Sequence, residues 1–495
     1  MRTTLLPLVA VGLLTTTPAP LLGQSDPPAP GLTLQDVEYA ASDTPIRVGT
    51  MRVWENRETR NGRLLSLDVV VLPATASDPA PDPVFVFAGG PGQNVTTTAN
   101  QWAHHWMRSQ RDVVLISQRG TGGDNRLWCD LPGSDDDLQG YLDPIFLEET
   151  FQHCLEQLAA QYDLAQYGTA NAMDDINDVR EALGYDTINL YGGSYGSRAE
   201  LEYIRRHPET VRTAILNSVA PVAFINPLYH AWGAQHALDL ILEECAADPE
   251  CNGAYGDIRA SFEEVMRVLD EGPVTTKVLS PSTGRLVEVE LTRESFGEAL
   301  RVIMYFDRSQ VPFLLDQAAR GDFSHFAEVG IAASRGIRES LAFGMLLCVT
   351  CAEDLDRITS DEMILAATGE TFLGDGRVRR QQAVCAFWPR SELPEDAADP
   401  VMRDVPVLLL SGRYDPVTPP RWGEEAASHL PQGLHVVGPG SHGQSGPCID
   451  SIMAEVLERG TVEGVDVGCV EGLSPTPFRL PDTDGRQPGV GGRLE

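Results

Sequence analysis

Positive charge is scarce in this 495-residue sequence: 37 Lys and Arg residues stand against 71 Asp and Glu residues, which gives a formal charge of −34 at pH 7. A surface of that sign repels DNA, RNA and anionic membranes, so nucleic-acid binding is excluded. It attracts cationic ligands, including free amino termini. The alternative interpretation is that the charge only keeps an extracellular protein in solution.

No apolar run in the sequence is long enough to cross a bilayer. The run at 5–14 follows a positive charge at Arg2 and precedes small and turn residues up to Gly23. A charged start, an apolar segment of about ten residues and a small-residue region are the parts of a secretory signal peptide. We therefore predict a signal peptide over 1–24, export to the periplasm or the medium, and no membrane insertion.

The nine cysteines lack the spacing of a structural zinc site. The C-x-x-C pair of Cys348 and Cys351 has no second pair or paired histidines at ligand spacing, and the strand-to-helix setting of a redox motif is missing. Disulfides, each stabilising by about 3 kcal/mol, suit an exported chain better. Spacing does not determine connectivity, but proximity along the chain suggests four pairs, with Cys348 free: Cys129–Cys154, Cys245–Cys251, Cys351–Cys385 and Cys448–Cys469.

Apolar residues make up 42% of the chain, which is enough for a sizeable core and excludes a disordered or fibrous protein. The sequence contains no internal repeats. In its first part, short runs of strand type alternate with helical patterns, which predicts βα units and a mostly parallel sheet. The strand-type runs lie at 64–72, 84–87, 112–117, 187–191 and 211–216, and the helical patterns at 173–183 and 195–206.

The pattern changes after about residue 221. Residues 223–400 are mainly helical in pattern, and strand-type runs return beyond them. We predict an α/β core in two parts, 32–222 and 401–472, with a mainly helical cap inserted between core strands. The tail, 473–495, is rich in Pro, Gly and charge, and we expect it to be disordered.

One short motif has the form of a nucleophile turn: Gly192-Gly193-Ser194-Tyr195-Gly196, a G-x-S-x-G pattern. It lies directly after the strand-type run at 187–191 and opens the helical pattern at 195–206. A strand–turn–helix of this kind holds the serine on a tight turn and exposes its hydroxyl. Glycines are needed beside it because side chains would clash in the bend. The ordinary alternative is a Gly-rich turn with a helix-capping serine.

A serine nucleophile needs a base, and the base needs an orienting acid, which follow in the order Ser, Asp, His in this kind of fold. Asp415 follows the strand-type run at 405–410. His442 follows the run at 434–437. Both therefore lie at carboxyl ends of strands, where ligands gather in open α/β sheets. We predict that Ser194, Asp415 and His442 form a catalytic triad; a turn-forming Asp and a solvated loop His are the alternatives.

Acyl transfer also requires an oxyanion hole. One donor is expected to be the backbone N–H of Tyr195, the residue after the nucleophile. The other is expected from the Gly-rich segment at 88–92. We favour the N–H of Gly90, because Pro91 has none and glycines let the backbone approach a carbonyl oxygen closely. Losing one such donor typically costs about 3 kcal/mol of transition-state stabilisation.

Six short motifs lie in the two predicted core parts: G-G-P-G at 89–92, Q-R-G-T-G at 118–122, G-G-S-Y-G-S at 192–197, H-P-E at 207–209, R-Y-D-P-V-T-P at 413–419 and G-S-H-G at 440–443. Together they resemble the prolyl aminopeptidase and tripeptidyl aminopeptidase family of α/β-hydrolase serine peptidases. The resemblance covers about 35–220 and 400–470. It implies an α/β-hydrolase fold with a cap, an acyl-enzyme mechanism, and no metal or cofactor.

The sequence departs from this family at two motifs, with Ser117 where the family has Asp and Ala88 where it often has His. The cap glutamates that bind the substrate's free amine in prolyl aminopeptidases have no evident counterpart. Glu353, in a Cys-Ala-Glu motif that similar secreted members share, is our candidate for that role, ahead of Glu200 and Glu202. A solvated or salt-bridged glutamate is the ordinary interpretation of each one.

These features predict an exported serine aminopeptidase that releases proline or short N-terminal peptides from short peptide substrates. A carboxylesterase or lipase with the same triad is the alternative, because the fold does not choose the leaving group. A non-catalytic binding protein on a hydrolase fold is a third class, which an intact triad disfavours. The sequence does not indicate an oligomeric state.

Overall fold

The computed structural model describes residues 29–42 and 44–481, so the predicted signal peptide lies outside the described residues. Nine of the strands in that part of the chain form one sheet, and the other two form a hairpin. In chain order the strands are β1 (Gly31–Val37), β2 (Ile46–Trp54), β3 (Leu64–Leu72), β4 (Val84–Phe87), β5 (Val113–Ile116), β6 (Ile188–Gly193), β7 (Val211–Asn217), β8 (Val274–Leu279), β9 (Leu286–Leu291), β10 (Val407–Gly412) and β11 (Gly433–Gly438).

Fifteen α-helices occur in the described residues, most of them between β7 and β10. They are α1 (Ala99–Ala103), α2 (Glu148–Ala159), α3 (Thr169–Leu183), α4 (Tyr195–Arg206), α5 (His230–Ala247), α6 (Pro249–Tyr255), α7 (Ile258–Glu271), α8 (Arg293–Phe306), α9 (Val311–Ala319), α10 (Ser324–Ser340), α11 (Phe343–Glu353), α12 (Asp361–Thr368), α13 (Gly376–Cys385), α14 (Pro420–His429) and α15 (Pro447–Arg459).

The strand order of the large sheet is β1-β2-β3-β5-β4-β6-β7-β10-β11. The pairs β1–β2, β2–β3 and β3–β5 are antiparallel, and every pair from β5 to β11 is parallel. The mostly parallel α/β sheet predicted from the sequence is therefore confirmed. The β1–β2 pair was not predicted, because its residues 31–37 and 46–54 are only partly buried and alternate weakly.

Helices cover both faces of the sheet because successive strand residues point to opposite sides. In β4, Val84 and Val86 join the apolar cluster that packs α1 and α15 against one face. Phe85 and Phe87 join the cluster on the other face, which contains residues of α3 and α4. The carboxyl ends of β4, β6, β10 and β11 consequently meet along one edge, where the candidate site lies.

The insertion between β7 and β10 is mainly helical, and two parts of it pack differently. Helices α5 to α10 and the β8–β9 hairpin share their own apolar cluster, in which the rings of Phe296 and Phe326 stack with centroids 4.0 Å apart. Helices α11 and α13 instead contribute Leu347 and Val378 to the cluster on the sheet. The later helices of the insertion are thus part of the sheet's core.

The predicted disulfide pairing is confirmed, and Cys348 is a buried free thiol whose Sγ lies 3.5 Å from the Trp388 Nε1 donor. The four disulfide bonds are Cys129–Cys154, Cys245–Cys251, Cys351–Cys385 and Cys448–Cys469.

None of the helices described is both long and apolar enough to cross a membrane.

The prediction of a disordered tail from residue 473 is wrong for its first part. Phe478 is buried in the cluster of the insertion, with the Arg308 guanidinium 5.0 Å from its ring centroid. The backbone of Arg479 donates to the Ser309 carbonyl oxygen at 3.0 Å and accepts from the Tyr255 hydroxyl. One aromatic side chain and these bonds hold a segment that its Pro and Gly content alone would leave free. Residues 482–495 lie outside the described residues.

Candidate active site

Ser194 occupies a sharp turn between β6 and α4. Its φ of 59° and ψ of −127° lie in a region that non-glycine residues rarely adopt. A Cβ on Gly192 would come within 2.5 Å of Glu200 Oε1, and a Cβ on Gly196 within 2.6 Å of the Phe87 carbonyl oxygen. The two glycines let β4, β6 and α4 approach closely enough to hold the serine in this strained conformation.

Asp415 lies after β10 and is fully buried. Its Oδ1 accepts from the backbone N–H groups of Val417 and Thr418, both at 2.8 Å, and its Oδ2 accepts from the Thr418 hydroxyl at 2.9 Å. Burial alone would raise the pKa of Asp415, but the charge of His442 and these hydrogen bonds outweigh it and lower the pKa below its usual value. Asp415 is therefore a fixed, ionised acceptor.

His442 lies in the loop after β11, and its Nδ1 is 2.8 Å from Asp415 Oδ2. This contact makes Nδ1 the protonated nitrogen and leaves Nε2 able to accept a proton. Nε2 is buried and has no hydrogen-bond partner among the described residues. The ring of Tyr305, from α8, stacks on the imidazole with centroids 4.2 Å apart. Nε2 is therefore not hydrogen-bonded to Ser194 in this structure. Catalytic serine–histidine hydrogen bonds often form only in the substrate complex.

The loop that carries His442 is fastened to the end of β7. The side chain of Asn217 both donates to the Gln444 carbonyl oxygen and accepts from the Gln444 N–H, each at 2.8 Å. The Ser218 hydroxyl accepts from the Gly443 N–H at 2.7 Å. The Asn217 carbonyl oxygen in turn accepts from the Ser194 N–H at 2.9 Å. One strand end thus positions both the candidate nucleophile and the candidate base, a role that the sequence did not indicate.

Ser194 lies at the junction of two cavities. The first, which we call the cap cavity, lies beneath α8 and is also lined by Gly90 and Tyr195, the two predicted oxyanion donors. The second, which we call the open cavity, is also lined by His442. Tyr305 also lines both cavities. The structure thus brings all of the predicted catalytic and oxyanion residues to one place.

Gly90 has a φ of 110°, and a Cβ there would come within 2.7 Å of the Gly92 backbone nitrogen. The turn at 89–92 therefore requires glycine at this position. Tyr195 is buried, and as the first residue of α4 its N–H lies at a helix N-terminus, where donors lack intrahelical acceptors. Both features suit donors directed at a developing negative charge.

Glu353, predicted to bind a substrate amine, lines neither of the Ser194 cavities. It lies in a separate cavity behind α4 and accepts from the Thr169 N–H at 2.8 Å and the Thr169 hydroxyl at 2.9 Å. Glu202 lines that same separate cavity and pairs with Arg205 at 2.9 Å. Glu200 is fully buried beneath the turn, and burial raises its pKa well above the usual value. The structure brings none of the three candidates to Ser194.

The contacts of Glu353 instead lead to the residue after the nucleophile. The Tyr195 hydroxyl lies 2.9 Å from Thr169 Oγ1 and accepts from Gln118 Nε2 at 2.9 Å. With Glu353 ionised, Thr169 donates to Glu353, Tyr195 donates to Thr169 and Gln118 donates to Tyr195. Protonation of Glu353 at Oε2 reverses the Thr169 hydroxyl, and the Tyr195 hydroxyl then loses its acceptor. Burial raises the pKa of Glu353 to about 7, against the lowering effect of the Thr169 hydrogen bonds and the Arg198 charge.

Substitution Glu353→Gln is therefore expected to lower kcat about tenfold, because the amide donates to Thr169 as the protonated acid does and leaves one buried hydroxyl unpaired. In the wild type, ionisation of Glu353 is then expected to add to a rise of kcat as pH increases through about 7. The variant should lose that part of the rise. The measurement is the pH profile of kcat for both variants, with free-amine and N-acetylated substrates.

Glu392→Gln is the matched control, because Glu392 lines the same separate cavity and has no place in this hydrogen-bond chain. It is expected to keep the wild-type profile. A loss in Glu353→Gln restricted to free-amine substrates would instead assign Glu353 to amine binding.

The glutamates that do reach the cap cavity are Glu294 and Glu298, both on α8. Glu294 pairs with Arg380. Glu298 Oε2 accepts from Arg301 Nη2 at 3.0 Å and from Arg301 Nε at 3.1 Å. Burial would raise the pKa of Glu298, but the charges of Arg301 and Arg377 hold it below its usual value. Glu294 and Glu298 are four residues apart on a predicted helix, and this spacing was the signal that could have placed them on one face.

Two family models match different parts of the chain. The model described as alpha/beta hydrolase fold matches residues 82–255, and the model described as TAP-like protein matches residues 370–469. The first range contains Ser194, and the second contains Asp415 and His442. The chain has the α/β-hydrolase fold. The match to the TAP-like model supports a serine peptidase of this superfamily, as the resemblance in its motifs implied.

The chain is similar to the serine protease Hip1 of Mycobacterium tuberculosis, with 23% identity over 85% of this chain and 86% of that protein. It is also 21% identical to the putative hydrolase YuaR of Escherichia coli, over 68% of each chain. Among solved structures, the proline iminopeptidase of Mycobacterium smegmatis superposes with a TM-score of 0.40 and 15% identity, over 83% of this chain and 95% of that one.

Proposed function

We propose that this TAP-like α/β hydrolase is an exported aminopeptidase that releases proline or short N-terminal peptides from short peptides. In this proposal, the Ser194 hydroxyl attacks the scissile carbonyl carbon while His442 Nε2 takes its proton. Asp415 holds the protonated Nδ1 of the imidazole, and the N–H groups of Gly90 and Tyr195 stabilise the oxyanion. The imidazolium then protonates the leaving amine, and water releases the acyl group from Ser194 by the reverse sequence of proton transfers.

The two cavities support an orientation for the substrate. The group that protonates the leaving amine must lie on the leaving side, and His442 lines the open cavity. The oxyanion donors line the cap cavity. The N-terminal, acyl part of a peptide would therefore lie under α8, and the leaving part in the open cavity. A covered acyl side limits how many residues can precede the scissile bond.

The observation that carries the aminopeptidase proposal is an ionised carboxylate on the acyl side. Glu298 Oε2 receives both bonds from Arg301, and Oε1 has no hydrogen-bond partner within the described part of the chain. The side chain is 28% exposed, so it can be reached from the cap cavity. A substrate ammonium group bound there would form a charge-assisted hydrogen bond. The four disulfides support export, because such bonds persist in oxidising compartments.

Glu298→Gln is expected to lower kcat/KM for free-amine peptide amides by about 10- to 100-fold, the usual value of a charge-assisted hydrogen bond. The same amides with an acetylated amino group should be cleaved poorly by the wild type and no worse by the variant. The measurement is the ratio of kcat/KM for the Pro-, Ala- and Ala-Ala-Pro- amides, free and N-acetylated.

The control variant Glu339→Gln removes a carboxylate from the open cavity and is expected to keep the free-amine preference. Equal cleavage of free and acetylated amides by the wild type would contradict the proposal. Turnover of a short-chain ester with no cleavage of any amide would make the protein an esterase.

A further inference from the structure

Arginine is concentrated in the cap cavity of a strongly acidic chain. Five arginines line this cavity against four carboxylates, although the whole sequence carries a formal charge of −34. The charged residues of the cavity lining thus include one more cation than anions, whereas the whole sequence is strongly acidic. The arginines are Arg198, Arg301, Arg338, Arg377 and Arg380, and the carboxylates are Asp143, Glu294, Glu298 and Asp354.

Four of these arginines already have strong partners. Arg198 pairs with Asp354 at 2.8 Å, Arg301 pairs with Glu298 at 3.0 Å, and Arg380 pairs with Glu294. Arg338 donates to three backbone carbonyl oxygens, those of Pro132, Tyr141 and Asp143.

Arg377 differs from the other four. Its Nε donates to Gln381 Oε1 at 3.2 Å, and its guanidinium lies 4.4 Å from the ring centroid of Phe146. Its two terminal amino groups have no hydrogen-bond partner within the described residues, and the side chain is only partly exposed. The hydrogen bond and the ring hold the guanidinium plane in place. The end of the fork is therefore fixed, lines the cavity and is unoccupied by protein groups.

The charges around Arg377 leave it cationic. Burial lowers the pKa of Arg377 to about 10, with the Glu298 charge acting against burial and the Arg301 charge acting with it. His230 lines the same cavity, and burial together with Arg301, Arg377 and His442 lowers its pKa well below the usual value. His230 is therefore neutral and does not compete for an anion.

We propose that Arg377 binds a carboxylate in the acyl part of the substrate, so that the enzyme prefers N-terminal segments that contain Glu or Asp. The peptide form of this inference rests on the proposed function, with the substrate amine at Glu298 and the acidic side chain at Arg377. A guanidinium fork donates two parallel hydrogen bonds to a carboxylate. Because the stacked ring already orders the side chain, little conformational freedom is lost on binding. A neutral Gln in the same place leaves the partly buried Arg377 cation unpaired, which disfavours the Gln substrate.

The test uses tripeptide p-nitroanilides based on Ala-Ala-Pro, in which each position in turn is replaced by Glu or by Gln. At one of the three positions, the wild type should show a kcat/KM about tenfold higher for the Glu substrate than for the Gln substrate. About tenfold is the usual effect of one charge-assisted hydrogen bond. Arg377→Met should bring that ratio close to one, mainly through loss of the Glu substrate. Arg377→Lys, which keeps the charge without the fork, should restore part of the ratio.

Arg380→Met is the matched control, because Arg380 lies one turn further along α13, lines the same cavity and is already paired with Glu294. It should keep the wild-type ratio. A wild-type ratio of one at all three positions would overturn the proposal, and so would a ratio that survives Arg377→Met in a variant with unchanged thermal unfolding.

A matched pair of 4-nitrophenyl esters separates this inference from the proposed peptidase activity. One ester carries a terminal carboxylate on a six-carbon acyl chain, and the other carries a carboxamide. If the peptides are not cleaved but the carboxylate ester is preferred in an Arg377-dependent way, the anion subsite stands and the aminopeptidase proposal fails. If peptides are cleaved with no preference for Glu in any series, the aminopeptidase proposal stands and the anion subsite fails.

Discussion

Substitution Ser194→Ala is expected to abolish hydrolysis, with kcat falling by about 10⁶-fold, as for removal of the nucleophile from other serine hydrolases. Ser194 occupies the turn between β6 and α4 with a φ of 59°. In this position it lines both cavities. Loss of the hydroxyl removes the covalent route, while the oxyanion donors and the cavity remain. The measurement is kcat on amide and ester substrates, with covalent labelling of the wild type by a fluorophosphonate and identification of the labelled residue by mass spectrometry.

Ser340→Ala is a suitable control for this experiment. Ser340 also lines the open cavity, but its hydroxyl donates to the Ile337 carbonyl oxygen and belongs to α10. The control should keep kcat within a few-fold of the wild type. Retained turnover in Ser194→Ala, or a label on a different serine, would move the nucleophile elsewhere in the chain.

Asp415→Asn is expected to lower kcat by about 10⁴-fold, the effect known for the same change in a serine protease triad. The amide can donate to His442 Nδ1, which shifts the proton to Nε2 and removes the base. In the wild type, the Asp415 carboxylate accepts four hydrogen bonds from protein groups, and the amide of the variant is a weaker acceptor. The measurement is kcat together with the temperature of unfolding.

The pH dependence of stability gives a second readout for Asp415. Because His442 and the hydrogen bonds lower its pKa below the ordinary value of 3.8, ionised Asp415 contributes stability above that value. That contribution is lost as pH falls through the lowered pKa of the folded state, and Asp415→Asn should lack it. Asp404→Asn, at an exposed position just before β10, is the control and should change neither kcat nor the pH dependence of unfolding. A variant Asp415→Asn with kcat within tenfold of the wild type would contradict the assignment.

The features that sequence reasoning located well are those that depend on local pattern. Ser194, Asp415 and His442 each follow a short apolar run, and parallel strands bring their carboxyl ends to one edge of a sheet. The structure accordingly places Ser194 and His442 on one cavity and Asp415 against His442. The disulfides were predictable for a related reason, because each joins cysteines between 6 and 34 residues apart.

The side chains that select the substrate did not follow from local pattern. Glu353 was placed by motif near the expected amine site, but the packing of α11 into the sheet's core turns it to a separate cavity. Glu298 and Tyr305 line the same cavity as Ser194 because α8 forms part of the wall of that cavity. Helical periodicity shows which residues share a face, but it contains no information about what that face meets.

By itself, then, the sequence determined the α/β core, the order of the candidate nucleophile, acid and base, and the covalent cross-links. Each of these depends on alternation, on turn chemistry or on short loops. Only the tertiary structure decided which charges line the cap cavity, that the terminal amino groups of Arg377 are unpaired there, and that Phe478 and its neighbours pack on the insertion. These features arise from contacts between segments that are far apart in the chain. Which charges are buried, and which are paired, depends on the residues that the fold brings next to them.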